Sequence, residues 1–148
     1  MSAPTYTPIQ TKNHLSLIDQ FPSNTPITVL HLLHFHPVAL YPASSPHASL
    51  PPISGRDAFY TRYVPAGILA AQECGITPGE TKFFSGTVMS LLRDSETPWD
   101  VVTMRTYRSF EEYARYQASE LYRENAVPHR EAALKGWEVL VCVEGVHP

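Results

Sequence analysis

Trp99-Asp-Val-Val-Thr-Met-Arg-Thr-Tyr107, followed by Arg108 and then Ser109-Phe110-Glu111-Glu112, is the stretch on which the fold turns. Its first part alternates with the two-residue period of a β-strand. Its second part has capping-box spacing. The Ser109 hydroxyl and the Glu112 carboxylate each satisfy a backbone donor of the other, which stabilises a helix start by about 1 kcal/mol. The predicted helix carries Phe110, Tyr113, Ala114, Gln117 and Leu121 along one side and is interrupted at Pro128. His129 to Lys135 reads as a last helical piece closed by Gly136, and Trp137 to Glu144 as a further strand.

Upstream, Ile27 to Phe35 (ITVLHLLHF) is a short apolar run rich in β-branched residues, and reads as a strand buried on both faces. Gly55 to Cys74 carries Phe59, Tyr63, Ala66 and Ala70 at helical spacing, and Pro65 must kink or restart that helix. Lys82 to Leu92 reads as a strand, in which Gly86 suggests a bulge or a close approach. Asp94 to Pro98 is a turn. The order is β-α-β-β-α-β, an α+β class with the split βαβ, or ferredoxin-like, motif. Two helices cover one sheet face. The same face of a second copy is the simplest cover for the other, which predicts a homodimer.

Residues 26–146 form this domain. Residues 1–25 read as an irregular arm. Most of the fourteen prolines lie at or before Pro52, where they remove backbone donors and fix φ. Residues 37–54 (PVALYPASSPHASLPPIS) form a Pro-rich loop, long enough to suggest a lid over the pocket. The chain has 148 residues, 43% hydrophobic and 17% charged, with a net charge of -3. That composition suits one globular domain and gives no attraction for nucleic acid. The two cysteines, Cys74 and Cys142, have no metal-like spacing and fit a reducing cytoplasm. No run approaches the ~20 apolar residues of a membrane span.

Five segments in order carry a family resemblance. They are His31-Leu32-Leu33-His34-Phe35; Ser54-Gly55-Arg56-Asp57-Ala58-Phe59 with Arg62-Tyr63; Pro98-Trp99-Asp100-Val101-Val102; Tyr107-Arg108-Ser109-Phe110; and Ser119-Glu120-Leu121-Tyr122 with His129-Arg130-Glu131-Ala132-Ala133-Leu134. From about Ile27 to Glu144 the chain resembles a family of small dimeric α/β-barrel proteins whose function is unknown. The wider superfamily includes cofactor-free antibiotic-biosynthesis monooxygenases, polyketide cyclases, dehydratases and haem-degrading enzymes. The resemblance therefore implies the fold more firmly than the reaction. His31 stands where that family usually has Asn, His34 where it has Arg or Lys, and Gly55–Tyr63 holds one extra residue.

Several residues are candidates for chemistry. His31 is a general acid or base, or else a core histidine bonded to a carbonyl. His129 is a pocket histidine held by Asp100, or else a helix-end cation. Asp100 is a catalytic partner, or else a strand-edge residue. Tyr63 is the fourth catalytic candidate. His34, Tyr60, Arg105, Tyr107, Tyr113 and Trp99 are candidates for substrate binding, with Arg105 suited to a carboxylate or enolate. The phenols give a lining that suits a flat, polyketide-like ligand and steadies an oxyanion, or else pack as ordinary core. His34-Phe35-His36 has the H-x-H form of some metal sites, with His47, His129 or a carboxylate needed to complete it. No dinucleotide, P-loop or nucleophile-elbow motif occurs. The expectation is an enzyme without cofactor or metal, of cyclase, dehydratase, decarboxylase or isomerase type, acting on a hydrophobic small molecule. A cofactor-independent monooxygenase and a non-catalytic binding protein are the alternatives.

Overall fold

Ile27–Phe35 forms strand β1, paired antiparallel on one side with β3 (Val101–Tyr107) and on the other with β4 (Leu134–Cys142). The computed structural model describes residues 9–77, 79–92 and 99–145. Strand β2 (Thr81–Gly86) adds to β3, giving a four-stranded antiparallel sheet of order β2-β3-β1-β4. Between β1 and β2 run α1 (Gly55–Ala58), a π-helical turn (Phe59–Tyr63) and α2 (Val64–Glu73). Between β3 and β4 run α3 (Phe110–Ala118), α4 (Glu120–Asn125) and α5 (Val127–Ala133). The predicted βαββαβ order and the α+β class are those observed.

The period-two rule sorts β1 into two faces. Ile27, Val29, Leu33 and Phe35 are buried beneath the helices. Thr28, Leu30, Leu32 and His34 lie on the opposite face and are only half-buried. A strand apolar on both sides is thus covered on one side by its own chain. Two cores lie on the helical side, one around Val29, Tyr113 and Tyr122 and one around Leu33, Val101 and Leu134.

Several boundaries differ from expectation. The second strand ends at Gly86, and residues 87–92 form no strand. Its irregularity falls between Thr81 and Phe83, not at Gly86, which pairs with Val101. The helix opened by Ser109 stops at Ala118 rather than at Pro128. There the Ser119 backbone turns extended and its hydroxyl accepts from the Tyr122 N–H, so a new cap wins over continuation. Pro128 sits in the first turn of α5, where its missing N–H costs nothing. Lys135 and Gly136 belong to β4, which begins directly after α5. Pro65 restarts the first helix as expected, just after the π-turn. The expected turn at Asp94–Pro98 lies outside the described residues. Within the arm, His14–Gln20 forms a 3₁₀ helix, and the Phe21 ring beyond it stacks on Phe110 at 3.8 Å.

Candidate functional site

A cavity of about 300 Å³ lies between the sheet and the helices. Strand β1 contributes His31, β3 contributes Thr103, Arg105 and Tyr107, and β4 contributes Trp137. The π-turn contributes Phe59, Tyr60 and Tyr63, α3 contributes Tyr113, Tyr116 and Gln117, and α5 contributes Arg130. Ile68 of α2 and Phe84 of β2 also border it, and their exposed side chains mark its mouth.

His31 shares the helical face of β1 with Val29 and Leu33, which points its ring at the cavity. The Trp137 indole Nε1 donates to His31 Nδ1 at 3.1 Å, with the two rings within 2° of parallel. An indole N–H can only donate, so Nδ1 is the bare acceptor and Nε2 keeps the proton. Burial pushes the His31 pKa down to about 4, with the Arg105 and Arg130 guanidinium groups adding to the effect. His31 is thus a neutral imidazole with one N–H left to offer.

The phenols form the opposite wall. Tyr63 and Tyr122 share a hydrogen bond of 2.6 Å, and Arg130 Nη1 donates to the Tyr122 hydroxyl at 3.1 Å. Burial raises the hydroxyl pKa of Tyr63 and Tyr113 well above the usual value and that of Tyr107 to about 12. These groups stay protonated and act as donors. The Tyr60 hydroxyl is buried without a protein partner, and burial also raises its pKa. Burial works against the Arg130 cation, but the Tyr122 and Tyr63 oxygens outweigh it and hold its pKa above the usual arginine value. The guanidinium also lies 4.5 Å over the Trp137 ring.

Six of the residues singled out by sequence therefore border one cavity: His31, Tyr60, Tyr63, Arg105, Tyr107 and Tyr113. Four do not. Asp100 is placed beside His34 and not beside His129. Its Oδ2 lies 3.2 Å from His34 Nδ1 and accepts the Phe35 N–H at 2.8 Å, which ties the end of β1 to the start of β3. His34 falls on the open sheet face because its parity on β1 is opposite to that of His31. Trp99 sits near Gly136, away from the cavity. His129 is buried, but its Nδ1 hydrogen-bonds the Tyr41 hydroxyl at 2.7 Å, and its ring centroid lies 4.4 Å from that of His47. Arg62 donates to the same Tyr41 oxygen at 3.1 Å and to the Pro51 carbonyl at 2.9 Å. Burial, then His47 and Arg62, push the His129 pKa down to about 4. This cluster fastens the 37–54 loop to α5 and the π-turn. None of the loop's residues borders the cavity, so the expected lid role is not what the structure displays. Among the described residues no group of three or more His, Cys, Asp or Glu is placed to hold a metal.

Sequence reading missed Arg130 and Trp137. Arg130 was hidden behind His129, its neighbour in the chain. Trp137 was hidden because it meets His31 diagonally across β1 and β4, a contact set by register: Trp137 is opposite Leu33 and Val139 opposite His31.

No family model matches the chain, and no curated protein matches it in sequence. Among solved structures it is similar to RPA0582, a protein of unknown function from Rhodopseudomonas palustris, at 22% identity. One crystal structure of that protein, in methylated form, has a TM-score of 0.67 with 98% of both chains covered. A second has a TM-score of 0.65, with 97% of this chain and all of the other covered. The fold is ferredoxin-like. A hydroxynitrile lyase from Passiflora edulis overlaps 84% of this chain and 99% of its own, at 12% identity and a TM-score of 0.47. The similarity to RPA0582 extends over almost the whole ferredoxin-like chain, and it is a similarity of fold. Among the described residues no helix is long and apolar enough to cross a membrane.

Proposed function

We propose that the protein is an enzyme of lyase, cyclase or isomerase type that acts on an apolar, polyketide-like carbonyl compound by polarising its oxygen. The observation that carries this is the locked tautomer of His31. Trp137 occupies Nδ1, so the imidazole offers the cavity an N–H and stays neutral at physiological pH. A pre-aimed donor in a water-poor site stabilises negative charge as it develops on a substrate oxygen. The unpartnered Tyr60 hydroxyl supplies a second donor from the helical side of the cavity. This replaces the general acid or base role first expected of His31. Its basic nitrogen is taken, and a conjugate acid of pKa about 4 makes a weak base. His129 has no catalytic part in this proposal, since it does not border the cavity. Among the described residues the wall contains no carboxylate, so the chain supplies the charge-stabilising half of the reaction. Water at the mouth between Ile68 and Phe84 takes the proton from the carbon beside the substrate carbonyl, leaving the C–H electron pair in the enolate, and water returns a proton once the new bond has formed or the double bond has moved. We propose further that the active form is a homodimer joined through the open sheet face.

The test is product formation from a panel of aromatic ketones and poly-β-carbonyl compounds, followed by mass spectrometry. The wild-type protein turns over at least one of them, and His31→Phe loses about 10²-fold or more of kcat, as removal of one oxyanion donor does elsewhere. Binding without turnover by the wild-type protein would leave a carrier rather than an enzyme.

A further inference from the structure

The charges around the cavity specify the class of compound it takes, given the reading of this cavity as the ligand site. Its wall holds two guanidinium groups, Arg105 from β3 and Arg130 from α5, and among the described residues no carboxylate. Arg130 is only 5% exposed. A guanidinium carries five N–H donors. Arg130 Nη1 donates to the Tyr122 hydroxyl, and its flat face rests on Trp137. Glu131 follows it in the chain and its charge also favours the guanidinium, but it does not border the cavity. Burying a cation is costly unless an opposite charge compensates it. Arg105 bonds Thr81 Oγ1 through one nitrogen at 3.1 Å, and its remaining donors have no carboxylate in the wall to meet. Both guanidinium groups line the same cavity as His31. The Tyr60 hydroxyl and the His31 N–H extend the set of donors. Thr81, Thr103 and Gln117 add two hydroxyls and an amide, and the rest of the wall is ring and aliphatic surface. A site of donors and cations with apolar sides is the complement of an acceptor-rich, apolar anion.

We propose that the ligand of this cavity is a flat, apolar carboxylic acid bound as its anion, with Arg130 as the carboxylate anchor and Arg105 as the second cation. The Arg130 fork offers the carboxylate a charge-assisted contact that the Tyr122 hydroxyl cannot supply. The stack on Trp137 fixes the plane of that fork.

The experiment is isothermal titration of the full-length protein with 2-naphthoate and with its near-isosteric neutral partner, 2-naphthylmethanol, in one buffer at pH 7.5. The wild-type protein binds the acid about tenfold or more tightly than the alcohol, the margin of one hydrogen-bonded charge. Arg130→Met removes that preference and leaves the alcohol's affinity in place. Arg105→Gln, at a less buried position, reduces the preference by a smaller factor. Equal affinities in the wild-type protein overturn the anion assignment while leaving the cavity a ligand site. Binding of neither compound overturns the ligand-site reading and the assignment with it. A preference that survives Arg130→Met overturns the choice of anchor. Should Arg130→Met fail to fold, the wild-type pair and Arg105→Gln still decide the matter.

Discussion

At the scale of single residues the site depends on one cross-strand contact. His31 and Trp137 are 106 positions apart, and each is unremarkable in its own segment. Together they fix a tautomer. Trp137→Phe keeps the ring and removes the N–H, leaving Nδ1 buried without a partner. That costs about 1–3 kcal/mol of stability. Long-range proton–nitrogen NMR of ring-labelled protein should find His31 as a single Nε2–H form in the wild type and a mixture in the variant. A mixture already present in the wild type would remove the basis of the donor role. The depressed pKa of His31 and of His129, each about 4, makes a second prediction. An unfolded histidine titrates near 6.5. Between pH 6.5 and 4 the unfolded chain therefore binds protons that the native chain does not, and stability falls as pH drops through that window. Above about 6.5 the contribution is fully present, and below about 4 it is lost. Melting temperature measured from pH 7.5 to 4.5 should decline more steeply for the wild type than for the His31→Gln, His129→Gln double variant. Parallel curves would mean that neither ring is held neutral.

At the scale of elements, the π-turn shapes the wall. Phe59, Tyr60 and Tyr63, one and four positions apart, share one side of this turn, and all three reach the cavity edge. The start of the helix cannot rotate to compensate. A Cβ on Gly55 would collide with the His36 and Ala133 backbone oxygens, so α1 is wedged against the end of β1. Deleting the exposed Thr61 should convert the π-turn to α and leave Tyr60 and Tyr63 two positions apart, about 200° around the helix, so that they no longer share a side. Far-UV circular dichroism should stay close to wild type, while 2-naphthoate affinity falls about tenfold or more as Tyr60 leaves the wall. Unchanged affinity would show that the π-turn is incidental to binding. The elements were largely legible in the sequence because their signals are local: the alternation of β3, the Ser109 cap, the restart at Pro65. The break at Ser119 was not, since Phe110, Tyr113, Ala114, Gln117 and Leu121 keep a helical period straight through it. Only the competing hydroxyl cap at Ser119 ends α3. The site was half legible for the same reason. Parity assigned His31 to one face, and abundance drew attention to the tyrosines. Arg130 and Trp137 enter the cavity through strand register and helix rotation, and no short-range pattern encodes either.

At the scale of the whole molecule, the sheet has a face that the described residues do not cover. Leu30 and Leu32 on β1 lie beside Val102 and Met104 on β3, with Leu140 of β4 opposite Leu30 and Phe83 of β2 opposite Met104. Leu140 and Phe83 are 48% and 45% exposed, and Val88, Met89, Leu91 and Leu92 beyond β2 add further exposed apolar side chains. Monomeric proteins rarely carry a contiguous apolar patch of this kind, and each Å² of it removed from water is worth roughly 25 cal/mol. A two-fold pairing lets the patch cover itself, since every residue meets the same surface on the other copy. Leu30 and Leu140 are cross-strand partners near the middle of the face, and neither packs into the cores beneath the helices. Leu30→Lys with Leu140→Lys would place four ammonium groups in a paired face against only the two Glu138 carboxylates opposite Leu32, and the excess of like charge opposes association. Native mass spectrometry should therefore find the wild-type protein at twice 16.6 kDa and the double variant at 16.6 kDa, with the variant's circular dichroism unchanged. The cavity lies on the opposite side of the sheet, so the monomeric variant should keep its affinity for 2-naphthoate if one chain supplies the whole site. A wild-type monomer at micromolar concentration would refute the pairing. A monomeric variant that folds but no longer binds would mean that the second copy holds the sheet, and with it the His31–Trp137 contact, in its working register.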